Sequence, residues 1–353
     1  MSEEPSNLSS VLALDSEHAA AFKQALARLL STDVAEITYA EILDGLPTVD
    51  SFCDFHFIQE THPVFELRHD VLCPGVIDRT REFRAHFDPL QLTFPSTLLS
   101  AFQRTHPGTQ RFELRLIELL AVSCHQIAVY LFNLDDGVHK HRVYEEWRDR
   151  PRERIRPSEY IAPAAFFHND YVDFDQYPAG IADVVGYWAE ARIFGGVVVF
   201  DRGPSGTECR DLFLHPSRLY RARTIFPPTA AQYAAIIDFL LGPAPDGAAC
   251  PFPVVPTSEN RWRHDPWDSM TRFHIFRDRY ERKPPQGPKP HHCVRSELDW
   301  PELADEHMIL LLQYEASLGK PVDQAAIDAA YERLKLITPS SPLWPRSKDP
   351  GPP

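Results

Sequence analysis

Apolar residues in the first part of the chain return at the spacing of a helix. Ala20, Phe22, Leu26, Leu29 and Leu30 follow Ser16 on one stripe, which predicts an amphipathic helix with Ser16 as its N-cap. From Tyr39 to Pro107 the apolar runs shorten and Pro47, Pro63, Pro74, Pro89 and Pro95 interrupt them, so only short helices and connecting segments are expected there. The strongest helical signal runs from Arg111 to Leu131 and stops at the turn-forming string Asn133-Leu134-Asp135-Asp136-Gly137. Glu113, Arg115, Glu118, His125 and Gln126 make it too polar for a membrane span of about 20 residues, so a buried core helix is expected. Glu118 and His125 lie about two turns apart on it, a polar pair that favours a hydrogen-bonded core histidine over a ligand.

Beyond the proline- and arginine-rich connection at 148–163 the pattern changes. Ile181–Ala189, Gly195–Phe200 and Arg210–Leu214 are short runs rich in β-branched and aromatic residues, broken at Gly203-Pro204-Ser205-Gly206. They predict a mostly antiparallel sheet over about 180–226. Thr229–Leu241 reads as an amphipathic helix with Thr229 at its N-cap and Gly242-Pro243 at its end, and further helices are expected over 301–318 and 322–336. The order implies an α+β fold, a central sheet packed by helices, in one large domain over 1–345 with a helical N-terminal subregion at 11–108. Residues 1–10 are expected to be loose and 346–353 a disordered tail.

Composition narrows the setting. A chain of 353 residues with 43% hydrophobic content can bury a sizeable core without crosslinks. The six cysteines stand singly and no N-terminal signal precedes them, which predicts reduced thiols in a cytoplasmic protein and no zinc ribbon. A net charge of −14 argues against DNA as a partner, and no segment argues for a membrane. Two local patches run against the overall charge: 142–156 holds six arginines against four acids, and 261–283 holds seven basic residues against four acids, interleaved with Trp262, Trp267, Phe273, Phe276 and Tyr280. Such mixtures suit unpaired RNA, although solvated helix faces with internal ion pairs are the commoner outcome.

The candidate chemistry concentrates between Ala164 and Pro216, where His168, Asp170, Glu190, Arg192, Asp201, Cys209 and His215 interrupt apolar runs. His168-Asn169-Asp170 with His215 resembles the His-x-Asp…His ligand order of iron oxygenases. That resemblance implies Fe(II) held by His168, Asp170 and His215, with 2-oxoglutarate as cosubstrate near Arg221 or Arg223. Cys209, Asp211 and His215 share strand parity and offer a thiol, an acid and a base, against the commoner fate of a small buried cysteine. His139-Lys140-His141 offers two imidazoles to a metal or forms a solvated turn. Asp183, Glu190, Arg192, Asp201 and Arg202 flank the expected strands. They cap the sheet with ion pairs or, beside Tyr187, Trp188 and Phe194, bind a cationic or amino-acid substrate.

The segments LDDGVHKH, GYWAEARIFGGVVVFDRG and FHIFRDRYER resemble a family of about this length in filamentous fungi, mostly uncharacterised. Proteins of this kind include the arginine-containing cyclodipeptide synthases of specialised metabolism, which carry a DDxxE motif; here Asp135-Asp136 is followed by Gly137, Val138 and His139. The resemblance implies a cofactor-free transferase that uses aminoacyl-tRNA. Asp135, Asp136, His139, His168 and Glu190 would be its catalytic residues. Asp183, Trp188 and Arg192 would bind substrate, with Arg261, Arg263, Arg272 and Arg277 on an exposed basic face for the tRNA. A non-catalytic interaction protein is the remaining expectation.

Overall fold

Capping side chains set the start of the first four helices. The structure, a computed structural model, describes residues 8–58, 60–151, 161–219, 221–243, 249–290 and 294–345. After β1 (Leu8–Ser10), the first helix α1 (Ser16–Leu30) is capped by Asp15, one position before the expected Ser16, because the Asp15 carboxylate accepts the Glu17 and His18 N–H groups. Thr32 caps α2 (Asp33–Asp44), which ends at Gly45 with φ +98°. The proline-broken stretch holds α3 (Val49–Phe55), α4 (Pro63–Glu66) and α5 (Val76–His86), then β2 (Thr93–Pro95), antiparallel to β1, and α6 (Ser96–Gln103). The 25-residue α7 (Gln110–Leu134) starts at Thr109, whose hydroxyl accepts the Phe112 N–H, and stops at Asp135 in the left-handed region. Its length and composition suffice to cross a membrane, yet most of it is buried within the protein, Leu116, Leu119, Leu120 and Ala128 completely. The short α8 (His141–Arg148) follows.

The run expected as the first strand of the sheet is instead helical, α9 (Ile181–Phe194). Its apolar residues surround the axis, as in a helix buried on every side, and over so short a run the strand and the buried helix share one sequence pattern. Small residues let α9 lie close along α7: a Cβ on Gly186 would stand 2.5 Å from the His125 Nε2. Since hydrogen bonds to Asp183 and Glu190 fix that ring, Gly186→Ala is expected to destabilise the fold by about 1–3 kcal/mol, measurable by urea unfolding.

The sheet that remains is small. β3 (Val197–Asp201) lies between β4 (Leu212–His215) and a two-residue β5 (Ile275–Phe276), all antiparallel, with Val197 opposite His215 and Phe200 opposite both Leu212 and Phe276. Two of its strands fall inside the expected 180–226 and the third comes from far downstream. Between them in sequence, α10 (Ala230–Leu241) begins with a complete capping box of Thr229 and Gln232, and α11 (Pro266–Phe273) leads into β5. The C-terminal α12 (Pro301–Ser317) and α13 (Gln324–Arg333) pack on each other through Ile309, Ile327 and Ala330.

The class is α+β, half helical with two small antiparallel sheets. One continuous apolar cluster runs from Val11 to Ile275 and includes residues of α1, α2, α3, α5 and α6, so most of 11–108 shares its core with α7, α9 and the sheet. The Arg28 guanidinium on α1 closes the C-terminal end of α10, donating to the carbonyls of Phe239 (3.0 Å) and Gly242 (2.8 Å). Residues 1–7, the tail expected at 346–353, residues 152–156 of the first arginine-rich segment and His291-His292-Cys293 lie outside the described residues.

Candidate functional site

Residues 164–172 cross beside β4, and the crossing is fixed by side chains that bond to backbone. His168 donates from Nε2 to the His215 carbonyl (3.0 Å) and accepts the Asp170 N–H at Nδ1 (3.1 Å), while Asn169 donates to the Ser217 hydroxyl. Both imidazoles are completely buried. Burial first, and then the charges of Arg282 and Arg223, push His168 down to about 4 and His215 well below the ordinary histidine value, so both are neutral at pH 7. Burial also holds the Tyr171 phenol well above its usual value. The phenol is therefore the donor in its 3.1 Å bond to His215 Nδ1, which leaves the His215 proton on Nε2, 3.5 Å from Asp170 Oδ2. Tyr171, His215 and Asp170 follow one another in space, hydrogen-bonded at the first step and only in proximity at the second, and the Asp170 carboxyl group is 34% exposed.

That carboxyl group opens into a basin of about 420 Å³ walled in part by Arg223, Trp267, Arg282 and Lys283. Its other acids are already matched: Asp173 pairs with Lys283 (3.4 Å) and Asp265 with Lys289 (2.7 Å). Arg282 donates to the Pro266 carbonyl and the Ser269 hydroxyl and lies over the Tyr171 ring. Its nearest carboxylate oxygen is on Glu281 at 3.9 Å, and burial pushes the Glu281 carboxyl up to about 7. Among the described residues no side-chain partner for the Arg223 guanidinium is present, and it lines the same basin as Asp170.

The iron site expected of His168, Asp170 and His215 does not fit this arrangement. The three residues do meet, with one ligand atom from each within 4.8 Å of the others. However, both nitrogens of His168 are spent on backbone partners, so it has no lone pair for a metal, and the three-stranded sheet is not the barrel that such oxygenases use. Cys209 follows the commoner of its two expectations, an unreactive cysteine: burial pushes its thiol up to about 12, and the His215 nitrogens face Tyr171 and Asp170 instead.

The remaining expected site residues separate. Asp135 and Asp136 are exposed; Asp135 accepts the His141 N–H and Asp136 pairs with Arg79. Glu190 is completely buried between His125 (2.7 Å) and Arg277 (2.6 Å), and Asp183 takes the other side of His125 (2.9 Å), so His125 is the hydrogen-bonded core histidine expected of α7. Arg192 pairs with Glu41 and donates to Ser51, with its guanidinium over the buried Trp188. Arg202 and Arg115 share the carboxylate of Glu118.

The exposed basic face is also corrected. Arg261 is bound to Asp305 (2.9 Å), Arg263 is buried among the carbonyls of Asn260, Thr257, Leu298 and Asp299, and Arg277 is buried on Glu190. Arg272 lies over the Phe273 ring. The guanidiniums of Arg261, Arg263 and Arg277 tie distant segments together, which is why a local charge count misreads them.

His139 and His141 part company as well. His141 stacks on Phe132, whereas His139 joins Asp44, His69 and Cys73 in a second group whose ligand atoms all lie within 4.8 Å of one another. Asp44 ends α2, His69 follows α4, Cys73 precedes α5 and His139 lies in the turn between α7 and α8. Sequence reasoning missed Asp44, His69 and Cys73 here, and Tyr171, Glu281 and Arg282 at the basin. Only the His69-x-x-x-Cys73 spacing offered a local signal. Comparison of the chain with protein-family models, with curated proteins and with solved structures finds no match.

Proposed function

We propose that the protein is an enzyme that binds a small anionic substrate, a carboxylate or phosphate ester, in the basin and moves a proton on it through Asp170. The observation that carries this reading is the part-exposed Asp170 carboxylate, backed by His215 and Tyr171, in one basin with Arg223, whose guanidinium has no side-chain partner among the described residues. Arg223 attracts and orients the anionic group. Asp170 takes the proton from the atom held above it, and His215 Nε2 lies 3.5 Å behind the carboxylate, buried and without a hydrogen-bond partner among the described residues. Arg282, held by Pro266 and Ser269, supplies a fixed positive field at the floor of the same basin. Of the arginines that were to receive a tRNA end, Arg263 and Arg277 are buried and Arg261 is tied to Asp305, which favours a small molecule over an aminoacyl-tRNA as the substrate.

Two measurements test it. A panel of small carboxylates and phosphates titrated into the full chain is expected to raise the unfolding midpoint for at least one class, and Arg223→Ala should weaken that binding at least tenfold. Metabolites made by a host expressing the chain should include a product that falls by about 10²–10⁴ with Asp170→Asn, the usual contribution of a positioned base, while the exposed Asp136→Ala leaves it unchanged. Binding and product unaffected by both basin variants would reject the reading.

A further inference from the structure

We propose that Asp44, His69, Cys73 and His139 form a closed, four-ligand zinc site that fastens the α7–α8 turn to the end of α2. The inference stands apart from the basin and uses none of its residues.

The donor types are one carboxylate oxygen, two imidazole nitrogens and one thiol. A thiol among nitrogen and oxygen donors suits Zn(II) and disfavours magnesium or calcium, which take oxygen ligands. The spacing suits it too. Bonds of about 2.0 Å to nitrogen and oxygen and about 2.3 Å to sulfur put tetrahedral ligands about 3.3–3.5 Å from one another. His69 Nε2 lies 3.1 Å from Asp44 Oδ2, Cys73 Sγ lies 3.5 Å from His139 Nε2, and the two imidazoles meet edge to face with ring centroids 4.7 Å apart. The widest pair, within 4.8 Å, needs to close by little more than an ångström.

The bonds around the four side chains orient them as second-sphere partners orient metal ligands. His69 Nδ1 faces the Pro47 carbonyl at 2.9 Å. That carbonyl can only accept, so Nδ1 carries the hydrogen and Nε2 is turned toward Asp44. Asp44 Oδ2 can only accept as well, so a positive centre must sit between these two atoms, either a proton on His69 or a cation. The other oxygen, Asp44 Oδ1, is buried with no hydrogen-bond partner among the described residues, an arrangement that a carboxylate tolerates poorly unless a cation is near. The Cys73 N–H donates to Asp44 Oδ2 at 2.8 Å and the His139 N–H to the Asp44 carbonyl at 2.9 Å, so main-chain bonds already bring the three segments together. Glycine permits that approach: a Cβ on Gly45 would overlap the His139 carbonyl, and one on Gly137 the Leu43 carbonyl.

Zinc binding to this set displaces the Cys73 thiol proton and any proton held between His69 Nε2 and Asp44 Oδ2, and leaves no open coordination position. The ion therefore holds structure and does not carry catalysis.

The test uses the full chain purified from zinc-replete cells. One zinc per chain by elemental analysis is expected, with a strong chelator lowering the unfolding midpoint and zinc, but not magnesium, restoring it. Cys73→Ser and His139→Ala should lose stoichiometric zinc, whereas the exposed Cys250→Ser and the basin variant Asp170→Asn should keep it. If the ligand variants do not fold, cobalt exchanged into the unaltered chain decides: tetrahedral d–d bands with a single thiolate charge-transfer band support the site. A folded chain that neither retains nor binds zinc, zinc retained in both ligand variants, or cobalt spectra without a thiolate band would overturn it.

Discussion

Lowering the pH from neutral to about 4.5 is expected to unfold this protein cooperatively, at an acidity that leaves most carboxylates ionised. The cause is a set of imidazoles that the fold buries in neutral form. His56, His62 and His264 are held at about 3 and His168 at about 4, chiefly by burial, and His215 lies well below its ordinary value for the same reason. The folded values are depressed, so the unfolded chain takes up protons first. The stability from each histidine is complete above about 6.5 and is lost as pH falls toward the folded value. Glu281 runs the other way. Its folded value, raised to about 7, means that its contribution is greatest at low pH and is lost as pH rises from about 4.5 to 7. Near pH 5 the five buried imidazoles together outweigh Glu281, and each net proton corresponds to about 1.4 kcal/mol per pH unit. Total stabilities of about 5–15 kcal/mol leave room for only a few net protons over one or two pH units. Far-UV circular dichroism against pH checks the midpoint. His264→Phe, which removes one imidazole packed on Phe273 and Phe213, should shift the midpoint to lower pH and shallow the slope by one proton. A chain that stays folded at pH 4 would contradict the burial of these rings as neutral groups.

Glu190→Ala is expected to destabilise the fold by about 3–5 kcal/mol, because it removes the one fully buried carboxylate that Arg277 and His125 share and leaves them only Asp183 and the part-exposed Asp278. Arg277 and His125 both bond to the Glu190 carboxylate, and all three lie between α7, α9 and the segment after β5. Although burial works against its charge, the carboxylates of Asp183 and Glu190 hold the His125 pKa above the ordinary histidine value. Removing Glu190 should lower it, a change visible by NMR titration of the ring. The pair is better replaced than broken: Glu190→Leu combined with Arg277→Met should recover most of the loss, because no charge is then left unpaired while Asp183 still balances His125. Denaturant unfolding of the two single variants and the double variant measures the coupling directly. Additive losses would show that Arg277 does not depend on Glu190.

What the sequence discloses depends on how local its cause is. The spans of α1, α7 and α10 are legible because an apolar stripe and a capping residue lie within one short window, as with Thr229 and Gln232. α9 is not, since a helix apolar on all sides loses the stripe that marks it, and β5, two residues long, has no pattern to read. The arginines of 261–283 show the same limit in charge. Arg277 finds its carboxylate 87 positions away and Arg261 finds its own 44 away, so composition sees a basic patch where the fold has internal pairs. His168 and His215 are brought together by a crossing beside β4, and their order along the chain foretold the meeting but not that His168 would spend both nitrogens on backbone. The group at Asp44, His69, Cys73 and His139 draws on three separate segments and had almost nothing local to announce it.

The Arg28 clasp on α10 also bears on the order in which this chain can fold during its synthesis. The carbonyls that receive Arg28 lie 211 and 214 residues downstream, and the face of α1 that α10 covers waits for the same stretch. At ribosomal rates of about 5–20 residues per second, α1 has emerged roughly 10–40 s before its partner exists. For that interval its apolar stripe has no native cover from α10, which makes the first helix of this protein a natural client for the chaperones that greet nascent chains.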